Sequence, residues 1–340
     1  MLWVICIWEG RSFMTIHWGI CSTGRIAETL AAALTSVSDA ERTCVSSRTL
    51  EKAQTFAEKY GFRRAYGSLE EMLRDEELDV VYIASPMACH YDQAKAAILA
   101  GKNVLCEKSV TLNIQQLAEL LELARKKRVF FMEAMWMKCR PSFRKAMEWI
   151  RSGRIGEVQM VKADFCNRVA YDEKDRLFRP ELGGGCLLDL AVYPFTLAEA
   201  VFGGRPEQIH SQMHMGKSGV DFDMAAILQY KGGFAAVTAG FDIPCGNNAV
   251  IIGSKGSVEL GNWFMCTCEA TLYDENNAVL ERFHEDNLCN GYEYEIVEVN
   301  RCLRAGLAES QLVPHTGTIH VMEMMDACRT QWGFQFPQEM

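Results

Sequence analysis

Residues 16–27 read Ile16-His17-Trp18-Gly19-Ile20-Cys21-Ser22-Thr23-Gly24-Arg25-Ile26-Ala27, and the fold turns on how they are parsed. Ile16–Cys21 is a short apolar run, as a buried strand requires. Ser22-Thr23-Gly24 breaks it, and Ile26, Leu30 and Leu34 then recur at i, i+4 and i+8, the spacing of one helix face. A strand, a glycine turn and a helix in immediate succession set a helix N-terminus at a strand's carboxyl edge. Such an end offers unpaired N–H groups and the positive end of the helix dipole, which together attract phosphate. Ser22-x-Gly24-x-x-Ala27 is a reduced form of the dinucleotide fingerprint. Ser22 stands at the first glycine, Gly24 at the one that lets backbone approach a pyrophosphate, and Ala27 is an accepted third member.

The same rhythm continues outward. Strands are expected at 41–47, 79–84, 103–108 and 129–133, and helices at 50–60, 68–73, 91–100 and 113–128. Asp79-Val80-Val81-Tyr82-Ile83-Ala84 is apolar almost throughout, as a parallel strand covered on both faces needs. Gly61 and Gly101 close two of the helices, and Ser68-x-x-Glu71 reads as a capping box. Strand and helix alternate throughout, which means a doubly wound parallel sheet. After a helix at 142–151 the pattern changes to consecutive strands at 158–165, 208–213, 222–229, 234–240, 248–252, 258–260, 265–273 and 279–283, joined by turns such as Lys231-Gly232-Gly233. One helix, at about 187–202, interrupts them, and helices at 292–304 and 317–331 close the chain. The expected class is α/β: an N-terminal doubly wound parallel sheet, then an α+β domain with a large, mostly antiparallel open sheet. The boundary is set at 138/139, with residues 15–138 and 139–340 as the two domains and the last helix free to pack back on the first.

The 340 residues are 49% apolar and 23% charged, enough for two well-filled cores. A net charge of −9 without a basic tract argues against nucleic acid or an anionic membrane surface as partner. The 14 cysteines are scattered, and Cys266-x-Cys268, on an expected strand, reads as two small apolar residues in a reduced, cytoplasmic protein; no metal site is expected. Met1–Met14 is set apart as a leader or mis-assigned start. Its apolar run is too short to span a membrane and lacks a basic flank, and Met14 is the expected true start.

Four places carry chemistry. The first is the turn Ser22, Thr23, Gly24, Arg25 and Ile26, where phosphates are expected. The second is Ser46-Ser47-Arg48 with Lys52: no carboxylate ends this strand to bond a ribose 2′-hydroxyl, whereas Ser47, Arg48 and Lys52 suit a 2′-phosphate. NADP is therefore expected, with NAD as the alternative. The third is the carboxyl edge of two further strands, Ser85-Pro86 and Glu107-Lys108, where His90 could line a nicotinamide site or cap a helix. Lys108 is costly to bury unpaired; Glu107 is its expected partner, and Lys108 could donate to a substrate hydroxyl or depress a neighbour's pKa. The fourth is Gly183-Gly184-Gly185-Cys186-Leu187-Leu188-Asp189-Leu190-Ala191-Val192-Tyr193-Pro194. On a helix Asp189 and Tyr193 share a face, either as an acid/base pair or as a buried tyrosine bonded to an aspartate. Pro194 is expected to kink the helix and free the Leu190 carbonyl. The glycines are expected to let backbone close on a substrate. Trp136, Arg176 and Phe178 are candidate substrate contacts, with Arg179, Tyr171 and Trp263 as further members of an arginine-and-aromatic rim.

These pieces, together with Glu133-Ala134-Met135-Trp136, fall in the order found in the Gfo/Idh/MocA oxidoreductases. The chain resembles that family from about residue 15 onward, and within it the dimeric dihydrodiol dehydrogenases and NADP-linked D-xylose dehydrogenases. The resemblance implies a Rossmann domain followed by an α/β domain whose open sheet often forms a homodimer. It implies an enzyme moving hydride between NADP(H) and a sugar, polyol or trans-dihydrodiol, with Lys108 beside the nicotinamide, Tyr193 as the acid/base and Asp189 lining the pocket. Two departures stand out: Ser109 replaces the proline of Glu-Lys-Pro, which is sometimes cis, and Lys138-Cys139-Arg140-Pro141 replaces Arg-Phe-x-Pro. Two rival readings are an NAD-linked inositol-type dehydrogenase, which commonly carries histidine at the Tyr193 position, and a non-catalytic NADP-sensing regulator, which would be expected to lose the Lys or the Tyr.

Overall fold

The structure is a computed structural model that describes residues 14–340. Residues 1–13, which hold most of the expected leader, lie outside the described residues. The first half alternates β1 (Ile16–Cys21), α1 (Arg25–Leu34), β2 (Ala40–Ser46), α2 (Leu50–Tyr60), β3 (Arg64–Tyr66), α3 (Leu69–Met72), β4 (Val80–Ile83), α4 (His90–Leu99), β5 (Asn103–Glu107), α5 (Ile114–Lys127) and β6 (Phe131–Ala134). All six strands are parallel, in the order β3-β2-β1-β4-β5-β6. The order reverses between β1 and β4, and ligands of such sheets bind outside the carboxyl ends of the strands at that point. Every residue of β4 is buried, which explains its unbroken apolar run. Ser68 accepts from the Glu71 N–H, but the Glu71 carboxylate reaches the Gly67 N–H rather than that of Ser68, so the expected box closes one residue early.

Beyond α6 (Pro141–Arg151) the chain builds β7 (Val158–Cys166), α7 (Val192–Phe202) and β8 (Gln208–Met215). There follow β9 (Asp221–Tyr230), β10 (Gly233–Gly240), β11 (Ala249–Gly253), β12 (Gly256–Leu260), β13 (Glu269–Asp274) and β14 (Val279–His284), then α8 (Glu293–Arg304) and α9 (His315–Trp332). The eight strands form one sheet, antiparallel except where β10 runs parallel to β7. The expected strand from 265 starts only at Glu269, because Trp263 takes a left-handed conformation (φ 59°) and its carbonyl accepts from the Cys266 N–H, making a turn. Cys266 and Cys268 therefore sit in or beside a turn rather than on a strand. Among the described residues, no group of three or more His, Cys, Asp or Glu is placed to hold a metal.

Both closing helices return to the first sheet. The Trp18 indole donates to Asn300 of α8, and Thr318 of α9 donates to Glu133 at the end of β6. The stretch Pro180–Phe202 is long and apolar enough to cross a membrane, but 83% of its most apolar window is buried inside the protein: it is the core helix of the second half.

Candidate active site

The turn after β1 is open in front. Gly24 is the N-cap of α1 and no side chain caps that end, so the first N–H groups of the helix point outward unpaired. A Cβ on Gly24 would meet only Ser22 Oγ, at 3.7 Å. The space and the donors both suit a phosphate. Ser22 holds φ at 100°, a conformation that favours glycine. Thr23 Oγ1 lies 3.3 Å from Ser47 Oγ, joining this turn to the end of β2. Arg48 and Lys52 are exposed beside it and make no ion pair among the described residues. Arg25 is exposed and Ile26 packs on the core. Beyond Pro86, His90 does not cap α4: its ring nitrogens lie 3.0 Å from the Ser109 carbonyl oxygen and 2.9 Å from that of Ser85. Burial pushes its pKa down to about 4. The ring is thus neutral and donates to only one of the two, tying together the segments that follow β4 and β5.

The end of β5 meets the glycine-rich segment of the second half. Lys108 Nζ donates to the Asp189 carbonyl at 2.6 Å and to Asp189 Oδ1 at 3.3 Å. Glu107 is therefore not the ion-pair partner of Lys108: its carboxylate accepts from the Tyr82 hydroxyl and from the Lys108 backbone N–H, and burial raises its pKa. Both Nη atoms of Arg176 reach Asp189 Oδ1, at 3.1 Å each. Burial pushes Asp189 upward, but Lys108 and Arg176 outweigh it and hold the carboxyl below its ordinary value. The Lys108–Ser109 peptide is cis although no proline follows, and Ser109 Oγ donates to the Leu188 carbonyl at 2.9 Å.

The free Asp189 carbonyl has a backbone cause. Residues Leu187–Ala191 are wound as a π-helical turn before α7 begins. In that register the Asp189 carbonyl faces the nitrogen five residues on, which belongs to Pro194 and carries no hydrogen. Pro194 does free a carbonyl, but the one taken up is that of Asp189 rather than Leu190, and Lys108 fills it. Tyr193 follows in α7. Its oxygen accepts from the Trp136 indole N–H at 2.8 Å, and Lys108 Nζ lies 5.3 Å from its ring centre. Burial, reinforced by the Glu107 charge, pushes the phenol well above its ordinary pKa. Lys108 was expected to depress it. The reverse holds because the phenol is buried and the Lys108 charge is spent on Asp189.

The three glycines make room for protein, not for a substrate. A Cβ on Gly183 would lie 2.9 Å from Leu112 and 3.1 Å from Met87. On Gly184 it would lie 2.6–2.9 Å from the backbone of Arg176, Leu177 and Arg179, and on Gly185 it would collide with the Asp221 carboxylate. Gly184 thereby seats the turn that carries Arg176 beside the π-turn that carries Asp189, and Gly185 admits the Asp221 carboxylate. Asp221 accepts from the Leu187 N–H at 2.6 Å, and burial pushes its pKa up to about 6.

Residues 16–135 match the family described as "Oxidoreductase family, NAD-binding Rossmann fold", and residues 143–259 match the GFO/IDH/MocA C-terminal domain. The chain belongs to the Gfo/Idh/MocA oxidoreductase family. It is 33% identical over 334 residues to a Xenopus tropicalis trans-1,2-dihydrobenzene-1,2-diol dehydrogenase, covering 95% of this chain and 100% of that one. In fold it is similar to an aldose–aldose oxidoreductase from Caulobacter crescentus solved with glycerol (TM-score 0.84, 20% identity, 94% and 98% of the two chains). It is similar likewise to a 3-ketoreductase from Actinomadura kijaniata solved with NADP and TDP-benzene (TM-score 0.83, 24% identity, 93% and 97%).

As a Gfo/Idh/MocA oxidoreductase the protein is an NAD(P)-dependent enzyme, and the turn at Gly24 has the space and donors for that dinucleotide. Of the expected substrate contacts, Arg176 is at the site, with its side chain 44% exposed. Trp136 stands behind Tyr193, its N–H committed to the phenol. Phe178 is not available to a substrate: it is 2% exposed and packed among Tyr171, Phe222 and Phe241. Tyr171 belongs to that cluster, and Arg179 pairs with Glu181 on the surface. Trp263 lies two rings from Tyr193, edge-on to Phe165, which is itself edge-on to Tyr193. Three residues packed around the candidate site are not legible as such along the chain: Tyr292, stacked on Trp136 at 4.5 Å; Arg140, 5.2 Å from the centre of the Trp136 ring; and Asp221, which accepts from the Leu187 N–H. The glycine before Tyr292 was the only local signal for that position, and it marks a turn as readily as a site.

Proposed function

We propose that this oxidoreductase is NADP(H)-dependent and moves hydride between the nicotinamide and a hydroxyl or carbonyl carbon of a sugar, polyol or trans-dihydrodiol. The observation that carries the reading is the convergence of Lys108, Asp189 and Tyr193 at the carboxyl edge of the dinucleotide-type sheet. Ser22, Thr23 and Gly24 would hold the phosphates at the α1 N-terminus. Ser47, Arg48 and Lys52 would take a 2′-phosphate, whose charge their exposed cations complement. Ser85, Pro86 and Lys108 would border the nicotinamide. When bound, that ring supplies or accepts hydride. Tyr193 gives or takes the proton at its phenol oxygen; burial keeps it protonated at rest, the form that donates to a carbonyl. Lys108, anchored by Asp189, would face the oxygen on which negative charge grows. The dihydrodiol dehydrogenase name of the Xenopus relative favours a vicinal diol or sugar.

Homo-oligomerisation through the open sheet belongs to the same proposal. Ile227, Phe234 and Ile252 are 43%, 40% and 37% exposed on that sheet, and a groove of about 530 Å³ runs over it between Lys162, Asp164, His210, Ile227, Ala236 and Thr238. A cytoplasmic location fits the thirteen cysteines among the described residues, all free.

The test is reduction of NADP, and of NAD in parallel, with D-xylose, trans-1,2-dihydrobenzene-1,2-diol, other sugars and inositols. Tyr193→Phe is expected to lower turnover roughly a hundredfold or more and to leave NADPH binding unchanged. Full activity in that variant would remove Tyr193 from the acid/base role, and a clear preference for NAD would remove the Arg48 argument.

A further inference from the structure

We infer that Trp136 is a positioning residue for the proton of Tyr193 rather than a substrate contact; the inference rests on the acid/base reading of Tyr193. An indole N–H is only a donor. In the 2.8 Å pair with Tyr193 the phenol oxygen therefore accepts, and its own hydrogen is turned away from Trp136. Among the described residues the phenol donates no hydrogen bond to protein, so that hydrogen is left for a reacting oxygen. The same N–H stabilises the phenolate more than the phenol, because a hydrogen bond to a charged acceptor is about twice as strong as one to a neutral acceptor. Burial raises the phenol, as do the carboxylates of Glu107, Asp189 and Glu295 that face it; the Trp136 N–H opposes them, and Lys108, 5.3 Å from the ring centre, is paired with Asp189.

The indole is itself held on both sides. Tyr292 stacks on it with ring centres 4.5 Å apart and planes 27° apart. The Arg140 guanidinium sits 5.2 Å from the ring centre and is 1% exposed. Arg140 has no carboxylate partner among the described residues: its donors go to the Thr267 carbonyl, Asn287 Oδ1 and Cys268, and Nη1 has no hydrogen-bond partner. A buried cation without a counter-ion finds part of its compensation in the indole π-face. It draws electron density from the ring and makes the N–H a stronger donor. The cation on Trp136 thus reaches the Tyr193 oxygen through the indole.

Trp136→Phe keeps a ring on Tyr292 and removes the donor. With the substrate of the panel above that the wild-type enzyme turns over fastest, kcat for oxidation is expected to fall about tenfold with KM for NADP within twofold. The pH at which kcat reaches half its plateau is expected to rise by about one unit. Trp136→His restores an N–H and should bring that midpoint part of the way back. Thermal unfolding of each variant checks that it is folded, and the histidine variant alone tests the proposal if the phenylalanine one is not. An unmoved midpoint in Trp136→Phe, or a midpoint in Trp136→His no closer to wild type than that of Trp136→Phe, overturns the inference. A fully active Tyr193→Phe would instead overturn the acid/base reading beneath it, so the two failures are told apart.

Discussion

Two glycine-bearing turns, Ser22–Gly24 and Gly183–Gly185, each lead into a helix, and they use glycine for opposite ends. In the first the missing Cβ leaves empty space before an uncapped helix. In the second the absent Cβ positions are already filled, by Leu112 and Met87, by the backbone of the Arg176 turn, and by Asp221. The first turn is left open by the protein; the second is completed by it. What decides is whether any atom of the protein stands where the Cβ would be, and a sequence does not carry that information.

The largest expected effect comes from filling the crowded turn. At Gly184 an added methyl would lie 2.6–2.7 Å from two backbone carbonyl oxygens, which cannot swing aside as a flexible side chain would. Gly184→Ala is expected to cost roughly 3 kcal/mol or more, or to yield no folded protein, as measured by denaturant unfolding. A variant as stable as wild type would erase the distinction between the two turns.

Gly24→Ala is the counterpart at the open turn. Its φ of −79° suits any residue, and the Cβ enters free space. An alanine N-cap costs about 0.5–1 kcal/mol, but the stiffer unfolded chain returns a similar amount. Stability should stay within about 1 kcal/mol while NADPH, titrated by its fluorescence, binds tenfold or more weakly, a loss of about 1.4 kcal/mol in binding. If stability fell as far as in Gly184→Ala, or the affinity held, the open turn would not be a phosphate cradle.

Much of this architecture was legible because it rests on periodicity. The β1–α1 unit, the continuous apolar run of β4 and the short turns between the later strands are local signals, and the two sheets follow from them. The backbone role of Pro194 was legible in kind, since a missing N–H must free a carbonyl, but which carbonyl depends on the π-register, and that is set by packing. The partners were not legible. Lys108 lies next to Glu107 in sequence yet bonds Asp189, eighty-one residues on, and the phenol of Tyr193 meets an indole fifty-seven residues earlier. The pKa of Tyr193 went the other way from expectation for the same reason: proximity to a cation can be guessed from a motif, whereas burial and a competing carboxylate cannot. Phe178 reads as a pocket aromatic until its cluster with Phe222 and Phe241 is seen.

Ser22 offers the finest test, because it is the one place in the open turn where conformation rather than space asks for glycine. Its φ of 100° costs a side-chain-bearing residue of the order of 1 kcal/mol or more. Ser22 recovers part of this through an Oγ that lies 3.4 Å from the Gly24 N–H. Ser22→Gly removes the strain and that contact, and loosens the unfolded chain by about 0.4–1 kcal/mol. The balance is a small gain, from nothing to about 0.5 kcal/mol. Ser22→Ala keeps the strain and loses only the oxygen, so it should be less stable than wild type by a few tenths of a kcal/mol. Denaturant midpoints measured side by side should therefore rank glycine, serine, alanine. If alanine instead proved the most stable, the first turn would not need its positive φ, and glycine there would be a matter of space alone, unlike the second turn, where Gly183 and Gly185 hold φ at 77° and 122°.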